Sequence, residues 1–111
     1  MDNKHPCIRV GLSGLGTGEF TEKSFRVVFG LDKEYRHVIR SVYTDMLDAV
    51  GKGGGKVMER MCEESSFLVR YKTAINGRPT TGTIRGWVGL VNAKSTSSVI
   101  SVDVREETEG Q

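Results

Sequence analysis

Five cations, Arg9, Arg26, Arg70, Lys72 and Arg85, together with the only tryptophan, Trp87, are the residues whose types and spacing suggest binding chemistry. Each falls at an alternate position in a run of period two, opposite the apolar residues of that run. Arg9 lies between Ile8 and Val10, Arg26 between Phe25 and Val27, and Arg70 and Lys72 beside Val69 and Tyr71. Arg85 and Trp87 stand against Ile84 and Val88. Cations and an aromatic on one side of a sheet can hold phosphate and stack on bases, or meet an anionic surface. The same pattern arises when an open sheet simply solvates one face.

A second basic feature is the run Val50-Gly51-Lys52-Gly53-Gly54-Gly55-Lys56-Val57, where glycines let the backbone approach an anion closely. It is not a Walker A loop, because the position five before Gly55 is Val50 and Val57 follows the lysine. Catalytic patterns are missing elsewhere too. His5 and His37 have no Cys, Asp or Glu at metal-ligand spacing, and Glu63-Glu64 and Asp45/Asp48 read as helix-surface charges. No Ser, Thr or Cys stands in a nucleophile elbow. Ser13-Gly14-Leu15-Gly16-Thr17-Gly18 precedes a strand-like run instead of opening a helix, so it reads as a flexible connection and not a dinucleotide fingerprint. The expectation is a non-enzymatic protein with no cofactor, no metal and no small-molecule substrate.

The elements that must position these residues follow from periodicity. Strands are expected over Ile8-Val10-Leu12, Phe25-Val27-Phe29, Phe67-Val69-Tyr71, Ile84-Val88-Leu90 and Ile100-Val102-Val104. Val38, Ile39, Val42, Tyr43, Met46, Leu47 and Val50 mark one face of a long helix, with Asp32 as its N-cap and Gly51 as its end. Val57, Met58, Met61 and Cys62 suggest a second, shorter helix after Lys56. Asn76-Gly77 signals a turn, which Arg78 and Pro79 lengthen, and Gly86 and Gly89 allow a bulge that would turn Trp87 inward. The predicted class is α+β: an antiparallel five-stranded sheet in chain order β-β-α-α-β-β-β, with a two-helix hairpin packed on one face.

With 111 residues the chain forms one domain, expected over 1–104, followed by an acidic flexible tail over 105–111. A net charge of +2 conceals an uneven distribution: Ser65 to Val102 contains five basic residues and no acid, whereas Asp103 to Gln111 contains four acids and one arginine. Cys7 and Cys62 fit no CxxC pattern and read as reduced thiols. No signal peptide or membrane-spanning run is apparent, which predicts a cytoplasmic protein.

The Gly-Lys run resembles the GxxG loop of KH domains. That resemblance implies a clamp on a single-stranded RNA backbone, carried by Gly51, Lys52, Gly53 and Gly54, with Lys56 adjoining. Across more of the chain, the strand, helix, Gly/Lys loop, short helix and strand order is similar to the core of matrix proteins of rhabdoviruses and related negative-strand RNA viruses. Ile84-Arg85-Gly86-Trp87-Val88-Gly89-Leu90-Val91-Asn92 is similar in character to a late strand of the lyssavirus members. Pro6 and Pro79, the only prolines, leave no PPxY motif. This second resemblance implies a virion structural protein of the host cytoplasm that self-associates as a homo-oligomer and binds anionic lipid or ribonucleoprotein. A KH-like RNA binder and a protein-protein adaptor are the alternatives.

Overall fold

The computed structural model of the protein describes residues 21–30, 32–75, 77–89 and 97–108. In chain order these are β1 (Thr21–Gly30), α1 (Tyr35–Lys52), β2 (Lys56–Cys62), β3 (Ser66–Ile75), β4 (Arg78–Val88) and β5 (Ser97–Thr108). The strands build one antiparallel sheet in the order β1-β5-β4-β3-β2. Strands β2 to β5 form a meander and β1 joins the far side of β5, so α1 carries the chain from one sheet edge to the other.

This architecture corrects the expected order and the helical hairpin, because α1 is the single helix among the described residues and 56–62 is a strand. The misleading signal has a physical origin. A bulge between Val57 and Glu59 inserts Met58 into β2. The extra residue shifts the alternation, so Val57 and Cys62, an odd number of positions apart, face the same side and pack against the core. Met58 and Met61 are exposed. Apolar residues at i, i+1, i+4 and i+5 imitate a helical stripe, whereas a helix this short would be marginal. As a strand, the segment satisfies the backbone of β3. The expected strand at 8–12 lies outside the described residues. The expected tail is corrected as well: Arg105, Glu106, Glu107 and Thr108 are the last residues of β5, paired with Thr83, Gly82, Thr81 and Thr80.

The apolar stripe of α1 is as predicted from its periodicity. Ile39, Val42, Met46, Ala49 and Val50 are buried against Phe67, Val69 and Tyr71 of β3, Ile84 of β4 and Ile100, Val102 and Val104 of β5. Burying such side chains contributes on the order of 1.5–3 kcal/mol each. The N-cap is Glu34 instead of Asp32, and its side chain makes no capping hydrogen bond. At the other end the glycines have defined tasks. Gly55 N–H donates to Val50 O (2.8 Å) and Gly54 N–H to Gly51 O (3.0 Å), the paired bonds of a Schellman stop. Gly54 has φ 84°, the left-handed conformation this stop requires at that position.

Two further glycines make room for rings. Tyr71 lies directly across from Gly82, and Phe67 from Gly86. A Cβ at either glycine would run into the facing ring. Gly86 therefore accommodates Phe67 within a regularly paired β4, and no bulge turns Trp87 inward. Between β3 and β4, Ile75 pairs with Arg78, so the connection is two residues long and tighter than expected. Gly77 has φ 77° there, and Pro79 sits one position before β4 begins to pair with β5.

Candidate functional site

The helix covers one face of the sheet, and register fixes which side chains remain on the other. Arg26 is opposite Ser101, Ser101 opposite Trp87, and Trp87 opposite Ser66, forming one row across β1, β5, β4 and β3. The next row is Ser24, Asp103, Arg85, Leu68 and Met61. A third contains Arg105, Thr83, Arg70 and Glu59, and a fourth Glu107, Thr81, Lys72 and Lys56. Arg26, Arg70, Lys72, Arg85 and Trp87 thus share the uncovered face and are all exposed. Arg9 lies outside the described residues.

Acids are interleaved on this face, a feature the sequence runs concealed. Arg70 bonds Glu59 at 3.0 Å, an exposed pair worth at most about 1 kcal/mol. Asp103 accepts a hydrogen bond from Ser24 (2.7 Å), although it stands directly across from Arg85. Arg26, Arg85, Lys56 and Lys72 have no ion pair among the described residues. Lys56 and Lys72 face one another across β2 and β3, where like charges destabilise a sheet. Six cations, Arg26, Lys56, Arg70, Lys72, Arg85 and Arg105, therefore oppose three acids, Glu59, Asp103 and Glu107, among the described side chains of this face.

The Gly-Lys loop is only partly united with these residues. Lys56 enters the sheet and joins the uncovered face beside Lys72. Gly51 and Lys52 end α1 on the opposite layer, and Gly53 and Gly54 complete its stop. Lys52 bonds Asp48 at 3.2 Å. A helix C-terminus presents carbonyls and the negative end of the macrodipole, so Gly51 to Gly54 do not form the phosphate-welcoming helix start that a second helix would have provided.

Sequence reading missed a buried polar cluster at the end of the covered face. Tyr71 and Glu106 are each 2% exposed, and the Tyr71 hydroxyl donates to Glu106 Oε2. Among the described residues Glu106 Oε1 has no hydrogen-bond partner. One row beyond, the hydroxyls of Thr80 and Thr108 share a 3.2 Å hydrogen bond. Burial raises the carboxyl pKa of Glu106 above its ordinary value, against the opposing pull of the Tyr71 hydrogen bond. Burial likewise raises the Tyr71 phenol pKa, reinforced by the hydrogen bond to Glu106 and its charge. The signal was present in the sequence: the alternation Ile100, Val102, Val104 continues through Glu106 and Thr108.

Other hollows hold little reactive chemistry. A cleft of about 900 Å³ between β1 and the start of α1 has Phe25, Val27, Val38 and Val42 in its walls and Asp32, Lys33 and His37 at its rim. Near the β2–β3 turn, a smaller hollow exposes Cys62 between Arg40 and Glu63. Burial raises the Cys62 thiol pKa, partly offset by Arg40, away from the thiolate a nucleophile needs. Among the described residues no three His, Cys, Asp or Glu side chains gather to hold a metal, and no helix is long and apolar enough to cross a membrane. No protein-family model, curated protein or solved structure matches this chain.

Proposed function

We propose that this protein is a non-enzymatic docking and assembly domain that holds a polyanion on the uncovered face of its sheet. The observation carrying this reading is the set Arg26, Arg85, Lys56 and Lys72: four exposed cations on one face, none in an ion pair among the described residues, two of them directly opposed. An anion bridging Lys56 and Lys72 would convert their mutual repulsion into attraction. A virion matrix-like role, with self-association against ribonucleoprotein, agrees with such a face.

Binding of sodium polyphosphate tests this reading. Affinity is expected to fall linearly in log-log form with rising salt, as counterion release requires. Lys56→Glu with Lys72→Glu is expected to weaken binding by about tenfold or more, since two contacts become repulsive. Lys33→Glu, near the start of the helix, serves as the control and leaves affinity within about twofold. Equal loss in both variants, or affinity indifferent to salt, overturns the reading.

A further inference from the structure

We infer that the polyanion is a single-stranded nucleic acid and that Trp87 is the platform on which one of its bases stacks. This rests on the polyanion reading above and adds an observation independent of charge. Trp87 is 39% exposed on the open face. Its direct neighbours across β4 are Ser66 on one side and Ser101 on the other, and the next residue along the strand on that face is Gly89. Its direct cross-strand neighbours are therefore both small, and Arg85 is the nearest long side chain on the same strand and face. A tryptophan partly exposed between two serines offers a surface to a flat ligand.

Its surroundings suit a nucleotide on both sides of the base. Arg85 is two residues away on the same strand and face, roughly 7 Å along it. Arg26 lies one strand beyond Ser101, roughly 10 Å across the sheet. Neither has an ion pair among the described residues, and both can reach phosphates flanking a stacked base. Ser66 and Ser101, its direct cross-strand partners, add two small polar side chains to the same row as Trp87. Such a site accepts any base, because every base offers a π face.

The interleaved acids argue against a lipid surface as the occupant. Glu59, Asp103 and Glu107 stand on the same face as the cations, and a flat membrane would bring anionic headgroups onto all three at once. A single strand can thread between them. Asp103 also offers an acceptor for an exocyclic base amine, a donor that polyphosphate lacks.

Trp87 is the only tryptophan, so its fluorescence reports on this site alone. Three probes are titrated: a single-stranded oligonucleotide, sodium polyphosphate of equal charge, and vesicles of phosphatidylserine in phosphatidylcholine. The oligonucleotide is expected to quench Trp87 and to bind tightest. Trp87→Ala is expected to lower oligonucleotide affinity by about tenfold and Trp87→Phe by less, while polyphosphate affinity is unchanged in both. Circular dichroism of the native chain and both variants is expected to coincide, since the ring lies outside the core. Oligonucleotide and polyphosphate binding equally well, with Trp87→Ala without effect, would overturn the stacking site and leave the polyanion reading standing. Tighter binding to vesicles would also overturn it. Failure of all three probes to bind would remove both.

Discussion

Removing a single oxygen, in Tyr71→Phe, isolates the contribution of the buried carboxyl while keeping the ring over Gly82. The Tyr71 hydroxyl is the one hydrogen-bond partner of the Glu106 side chain among the described residues, and the second carboxyl oxygen already lacks one. The variant therefore strands a group that is 2% exposed with neither oxygen satisfied. Leaving such a group unpaired costs about 1–3 kcal/mol. In a domain of this size each kcal/mol corresponds to about 4–8 °C, so melting should drop by roughly 4–24 °C. The pH dependence carries the sharper test. Burial raises the folded pKa of Glu106 above its ordinary value of 4.5, so the folded chain retains a proton that the unfolded chain has released. The resulting stability is fully present below 4.5 and is lost as pH rises through the folded value. Glu106→Gln cannot ionise. It should match the native chain in acid and exceed it in stability once the native carboxyl is forced to charge. Thermal melts followed by circular dichroism between about pH 4 and about pH 8 measure both effects. A Tyr71→Phe midpoint within about 1 °C of native would refute the reasoning. So would a native-minus-Gln difference that stays flat with pH.

Two glycines with open space around them should respond in opposite ways. Gly51→Ala lies within α1 and should add up to about 1 kcal/mol, whereas Gly54→Ala at φ 84° should cost about 1 kcal/mol, both read from urea midpoints. The bulge predicts unequal neighbours in β2. Val57→Asp, on the side facing α1, should cost about 1–3 kcal/mol by burying a carboxylate, and Met58→Asp less than about 0.5 kcal/mol. Equal costs at 57 and 58 would favour the helical reading that the bulge imitates.

Period-two alternation proved legible wherever the ladder is regular. Phe25, Val27 and Phe29, then Phe67, Val69 and Tyr71, and finally Ile100, Val102 and Val104 all point toward α1, as their spacing indicates. Arg26, Arg70, Lys72, Arg85 and Trp87 consequently fall together on the bare side. Three things were not legible, each for a local reason. Met58 breaks the alternation and turns a strand into a helical pattern. The charge of Arg105 to Thr108 suggested solvent, although pairing with β4 buries Glu106 and Thr108. Finally, runs of sequence cannot show that Glu59 and Asp103 lie beside Arg70 and Arg85, because that proximity is created by pairing between distant strands.

The placement of β1 has a consequence for assembly of the fold. Gly30 pairs with Ser97 and Thr21 with Glu106, so this strand finds its place only after nearly the whole chain has been gathered, while β2 to β5 meet through close neighbours in sequence. Closing a span of about 70 residues costs about 2.5 kcal/mol more in chain entropy than closing a tight hairpin. Folding should therefore zip the meander first and capture β1 last. Until that capture, the rim of β5 is an unfilled berth for any matching strand, and at high concentration the matching strand nearest to hand is β1 of another molecule.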